Sequence, residues 1–215
     1  MAGIGLIETN RELLARQLFD VFSVIFIKPV ASEPQLTIIW LVPAPDAIDA
    51  EGIDTNTQML YALSRTCYQK ALRINASSPE THNNLGDLFY VMKNYSAAEE
   101  DYSKALKLCR DNPQYLNSLG LTYYGMKNYA GAEENLSKAI SLQPDYLEAR
   151  NNLALTYLHR GMYSKALEEL ERVVSVSPDN SGVYFNLALV YLRGFQDRER
   201  ALFYLKKCLK VSSRL

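Results

Sequence analysis

Four stretches of this chain align at a constant spacing of 34 residues: NNLGDLFY from Asn83, NSLGLTYY from Asn117, NNLALTYL from Asn151 and FNLALVYL from Phe185. Each carries a leucine followed by a small residue, as Leu85-Gly86, Leu119-Gly120, Leu153-Ala154 and Leu187-Ala188. An aromatic follows three positions after each small residue, as Phe89, Tyr123, Tyr157 and Tyr191. A fixed period of this length means stacked copies of one supersecondary unit, since a single copy cannot bury its own apolar face.

The second half of the unit recurs as well. Ala98, Tyr102 and Ala105 return as Ala132, Leu136 and Ala139, then as Ala166, Leu170 and Val173; in the fourth copy Ala201, Leu205 and Cys208 come one residue late. Apolar residues at three- and four-residue intervals predict two short amphipathic helices per unit. Cap-like residues separate them: Ser78-Pro79, Asn94-Tyr95-Ser96, and Asp145 with Glu148. Pro144 and Pro178 close the second and third copies, where the first has Arg110. Small residues let the paired helices approach closely, and the leucines and tyrosines fill the space between them.

With this small–large pattern and period, the chain resembles the tetratricopeptide repeat family. The resemblance implies an all-α fold: a right-handed α-solenoid of antiparallel helix pairs, working as an interaction module. About four and a half repeats are expected, with units at 79–112, 113–146, 147–180 and 181–215. A half repeat over 57–78 precedes them, because Tyr68 and Ala71 fall one period before Tyr102 and Ala105. In that reading Met59–Asn75 is the second helix of an incomplete unit, and residues 45–58, with Gly52, are linker.

Residues 1–56 stand outside the repeat. Thr9-Asn10-Arg11-Glu12 is a capping-box pattern that predicts a helix to about Ile27, ended by Lys28-Pro29. Gln35–Val42 (QLTIIWLV), which holds Trp40, reads as a strand or an extended segment between Pro34 and Pro43. The preferred reading of this region is a cap on the half repeat. The alternative is a surface for a partner or a membrane face, built on Phe19, Phe22, Ile25, Phe26 and Ile27. The run from Leu18 to Ile27 is about half the roughly twenty residues a spanning helix requires.

Charge is nearly balanced, at a formal net of -1, and uneven in place. Lys and Arg number 23 and Asp and Glu 24, which speaks against a nucleic-acid partner. Residues 1–56 set three basic groups against eight acidic ones, whereas 193–215 set seven basic against two acidic. No polar closing helix follows RERALFYLKKCLKV, so the last stacking face is expected to be partly open. Opposite charge at the two ends suggests head-to-tail self-association of copies, or an acidic leader that shields its own chain.

Chemistry is sparse. His82 and His159 have no Cys, Ser or carboxylate at an informative spacing and read as packing or surface residues. There is no GxGxxG, Walker, HExxH or GxSxG pattern. Glu99-Glu100-Asp101 and Glu168-Glu169 read as solvated helix faces. Cys67, Cys109 and Cys208 are too scattered for a disulfide framework or a metal site, and read as reduced apolar packers. The expectation is a protein without catalysis, metal or cofactor, in the cytoplasm or an organelle stroma, soluble or peripherally membrane-associated.

The resemblance places a concave groove along the first helix of each unit, lined by the residues around the Leu–Gly/Ala pair. Asn84, Asn152 and Asn186, with Ser118, precede the leucines directly; Asn83, Asn117 and Asn151, with Phe185, come one position earlier. An amide that repeats once per unit offers a donor and an acceptor to the main chain of an extended ligand, or else bonds neighbouring backbone. Beyond the leucines come Asp87 and Tyr90, Leu121 and Tyr124, Leu155 and Leu158, then Leu189 and Leu192. This apolar run implies a partner segment with apolar anchors. The family's lysine/arginine clamp for a terminal carboxylate has no counterpart, and Asp87 carries the opposite sign. Two functions follow: a scaffold that binds a protein or peptide segment in the groove, or a subunit or assembly factor of a larger, membrane-associated complex that contacts partners through its ends.

Overall fold

The computed structural model describes residues 55–213. All elements among them are helical. They are α1 (Thr55–Ile74), α2 (Pro79–Val91), α3 (Tyr95–Leu108), α4 (Pro113–Gly125), α5 (Tyr129–Leu142), α6 (Leu147–His159), α7 (Tyr163–Val176), α8 (Ser181–Val190) and α9 (Arg198–Ser212). The expectations for 1–54, namely the leader helix, the Trp40 segment and the cap, lie outside the described residues. The linker reading fails at its end, because α1 begins at Thr55 rather than Met59.

From α2 onward the helices pack in consecutive pairs, α2 with α3, α4 with α5, α6 with α7 and α8 with α9, and each pair stacks on the next. This is the α-solenoid of helix pairs that the period implied. The alanines at the close contacts, Ala98, Ala105, Ala132, Ala139 and Ala166, are wholly buried. At Gly86 a Cβ would stand 2.7 Å from the Tyr102 ring, and at Gly120 2.7 Å from Leu136 Cγ. Both leave no room for a methyl group. Leu116, Leu136, Leu153, Leu170, Tyr184 and Leu187 join one core across the second to fourth units.

Helix ends follow local chemistry. Ser78, Asn94, Asn112, Asn128, Asn180 and Asp197 each accept a backbone N–H of the first turn through the side chain. Asp145 does not act as the cap of α6; Tyr146 stands there and makes no side-chain cap bond. Between the helices of each pair one residue turns left-handed: Lys93 at φ 58°, Lys127 at 60°, Gly161 at 72° and Gln196 at 54°. The Lys93 and Asn94 N–H groups bond back to Tyr90 and Phe89 carbonyls, closing the helix end.

The delay in the fourth unit has a visible origin. Residues Tyr191–Phe195 form a π-helical turn after α8, which takes up one extra residue before Gln196. Asp197 then caps α9, so Ala201 reaches the buried place that Ala98, Ala132 and Ala166 hold earlier.

Candidate functional site

The first helices of the four units, α2, α4, α6 and α8, stand side by side, each touching the next. On these helices nine of the thirteen expected groove residues are partly exposed: Asn83, Asn84, Asp87, Tyr90, Leu121, Tyr124, Asn151, Leu155 and Leu189. The other four are buried. Leu158 is only 5% exposed and sits in the core, so it is withdrawn from the groove surface. Phe185 on α8 and Leu192 just after it are exposed.

Asn117, Asn152 and Asn186 are buried for a reason the spacing did not reveal. The Asn152 amide donates to Asn117 Oδ1 at 3.0 Å, and the Asn186 amide donates to Asn151 Oδ1 at 2.8 Å. Each bond joins one unit to the next across 35 residues. Asn117, Asn151, Asn152 and Asn186 therefore join the first helices of the last three units to one another. The Asn151–Asn186 pair keeps an oxygen and an NH2 beyond its own bond, whereas the Asn117 amide also meets the Tyr146 hydroxyl.

The first boundary differs. Ser118 replaces the asparagine that would reach Asn83, and the Asn83 Oδ1 is buried without a hydrogen-bond partner. Asn83 turns its amide to Asp87 Oδ2 at 3.1 Å, and the Tyr102 hydroxyl donates to Asp87 Oδ1 at 2.6 Å. Burial raises the Asp87 pKa above its ordinary value, and these two hydrogen bonds oppose that only in part. Burial and the neighbouring carboxylate push the Tyr102 hydroxyl far above the usual phenol range, so it stays protonated and donates.

Aromatic rings meet where the two helices of a unit join and where one unit follows the next. Tyr90 and Tyr95 lie 5.6 Å apart, Tyr124 and Tyr129 5.8 Å, and His159 stacks on Tyr129 at 5.7 Å. Tyr95, Tyr129 and Tyr163 recur at the 34-residue period, which could have marked them. Each ring needs a recess on the following unit. A Cβ on Gly125 would strike Tyr95, one on Gly194 would strike Tyr163, and between them His159 lies flat on Tyr129. His159 is thus a surface histidine within an aromatic cluster.

His82 is a packing histidine with a carboxylate partner. Its Nδ1 lies 2.9 Å from Asp101 Oδ1 and its Nε2 3.4 Å from the Ala76 carbonyl. Two periods later the same positions pair Arg150 with Glu169 at 2.6 Å. Asp101 and Glu169 face the inside of their helix pairs, so they are not solvated faces; only Glu100 and Glu168 are. In the second unit the pair is Leu116 and Asn135, and in the fourth Tyr184 stacks on Tyr204 at 6.4 Å. Cys67 and Cys109 are exposed and only Cys208 packs against the core, so the packing reading holds for one cysteine of three.

Among the described residues no group of three or more His, Cys, Asp or Glu could hold a metal ion, and no helix is long and apolar enough to cross a membrane. A depression of about 360 Å³ between α3 and α5 is lined by Lys107, Glu134 and Lys138 of these second helices, by Arg110 just past α3 and by Leu116 of α4.

The chain matches the family described as tetratricopeptide repeat over residues 123–188, 79–112 and 181–214, and as TPR repeat over 61–93. No curated protein matches it. Among solved structures, MamA is 24% identical, with 76% of this chain and 97% of that one covered at a TM-score of 0.64. PilF of Pseudomonas aeruginosa is 25% identical over 73% of this chain and 71% of its own, at 0.64. YrrB, described as a TPR protein with an unusual peptide-binding site, is 23% identical over 74% and 81%, at 0.59. At these identities the likeness is one of fold.

Proposed function

The chain belongs to the tetratricopeptide repeat family, and from that premise we propose that it is a non-catalytic scaffold whose inner groove holds an extended segment of a partner protein. The family's general role as a protein–protein interaction scaffold is common ground; the groove and its chemistry are the proposal. One observation carries it. Leu121, Leu155 and Leu189 recur at one position of consecutive first helices and remain partly exposed, with Tyr90 and Tyr124 beside them. Side-chain bonds between the asparagines hold those helices in register. A row of apolar side chains fixed at regular intervals on a rigid frame suits alternate anchors of an extended or helical segment.

The asparagines take a different part from the one their spacing suggested. Their remaining donors and acceptors can still meet a ligand main chain, but their removal would loosen the frame. Leu121→Gln with Leu155→Gln is the cleaner test. Affinity capture from native extract should lose a partner with this double variant while helical content stays unchanged. Capture that persists would overturn the reading.

A second reading rests on the other end of the described chain. Leu202, Phe203 and Leu209 on α9 are 56%, 59% and 70% exposed, among Lys206, Lys207 and Lys210. Leu209 sits where Leu106, Ile140 and Val174 are covered by the core in earlier units. Such a face fits a contact within a larger complex. In that case Leu202→Glu with Leu209→Glu, rather than the groove variant, should abolish capture.

A further inference from the structure

Asp87 is the only charged side chain among the residues that the four units set on the groove around their Leu–Gly/Ala pairs. It stands at the first boundary, where the asparagine bridge is missing. Two donors hold its carboxylate, the Tyr102 hydroxyl and the Asn83 amide, and among the described residues it forms no ion pair. Acceptors exceed donors at this spot, because the Asn83 Oδ1 lacks a partner as well. A half-buried anion with an acceptor excess is unfavourable until a cation rich in donors arrives.

Asn83, Asp87 and Tyr90 follow at four- and three-residue spacing, so they lie along one stripe of α2. Tyr90 stands one turn beyond Asp87 on that stripe, with its ring 5.6 Å from Tyr95. A planar guanidinium or an ammonium can meet a carboxylate and lie against a ring together, and a carboxylate already held by two hydrogen bonds loses little freedom on binding it.

We propose that Asp87, with Tyr90 beside it, receives an arginine or lysine side chain of the segment bound in the groove. The inference rests on the groove reading above and adds its polarity. The partner carries a basic residue at one end, over the first unit, and apolar anchors along the rest, over Leu121, Leu155 and Leu189. Charge complementarity supports this: Asp87 has no cation against it among the described residues, and the other charges near these helices stand apart from it, Glu148 beside Tyr146 and Arg193 near Tyr124.

The test uses the full chain, immobilised and panned with a random-peptide phage library. Selected peptides should share apolar residues and an arginine or lysine at a constant distance from them. Panning against Asp87→Asn, which keeps an oxygen for the Tyr102 hydroxyl, should return the apolar residues without the basic one. A synthetic copy of a selected peptide, with its basic residue changed to norleucine, should bind wild type about tenfold more weakly and bind Asp87→Asn with little change. Apolar peptides with no basic preference, or a preference that survives Asp87→Asn, would overturn the inference and leave the groove reading standing. Peptides that bind Leu121→Gln/Leu155→Gln as well as wild type, or no enrichment at all, would overturn both.

Discussion

The first unit and the third are built from one pattern, yet they handle polar groups in opposite ways. In the third, Arg150 and Glu169 lock the two helices together, and Asn151 and Asn152 bridge outward to Asn186 and Asn117. In the first, His82 meets an aspartate that Lys104 also approaches at 3.6 Å, and Asn83 ends in an unpartnered oxygen beside a half-buried carboxylate. Polar groups that satisfy one another hold a frame. Polar groups left partly unsatisfied are where a ligand gains most. The difference leaves the middle of the solenoid bridged by side-chain bonds and the first boundary with a buried oxygen still unpartnered.

The sharpest way to break this contrast is at the two locks. Arg150→Ala leaves Glu169 in a nearly buried place with no other ion-pair partner, and should lower stability by about 3 kcal/mol. His82→Ala should do less, about 1–2 kcal/mol, because Lys104 remains to answer Asp101. Urea unfolding of both variants decides it; equal losses would mean that the two locks are equivalent.

Next come the bridges. Asn151→Ala strands the Asn186 amide and should cost about 1–2 kcal/mol, whereas Asn83→Ala removes a buried oxygen that bonds nothing together with the amide that donates to Asp87, two changes of opposite sign, and should stay within about 0.5 kcal/mol. The converse is Ser118→Asn, which restores the missing bridge and should raise stability by about 1 kcal/mol. A loss from Asn83→Ala as large as that from Asn151→Ala would erase the distinction between the boundaries.

The repeat made the helix pairs legible at once, because Leu85-Gly86 and its copies state both the period and the close contact. Even the fourth unit's one-residue delay was visible in the position of Ala201, although not that a π-helical turn would absorb it. The polar architecture was far less legible. Asn117 and Asn152 meet across 35 residues and His82 meets Asp101 across 19, so each contact depends on how two helices are set, which local pattern does not encode. The same asparagine spacing suits a ladder facing a ligand or a rivet between helices. Leu158 was misplaced for a related reason: it shares a register with Tyr90 and Tyr124, but in the third unit that position turns into the core.

The smallest expected effect is a slope with pH, and it bears on the boundary alone. Burial raises the Asp87 pKa in the folded chain above the value of 3.8 that it has when exposed. Below 3.8 the folded and unfolded forms both hold the proton, and the carboxylate costs the fold nothing. As pH climbs past 3.8 and through the raised folded value, the unfolded form loses its proton first, so the fold loses stability relative to a neutral side chain. Asp87→Asn should therefore match wild type most closely in acid and gain on it toward neutrality, as read from urea midpoints at a series of pH values. A bound peptide with a basic residue at the Asp87 site should reverse the trend, since the anion then has its cation. If wild type and Asp87→Asn keep a constant separation across the series, burial is not straining this carboxylate, and the first boundary is as settled as the third.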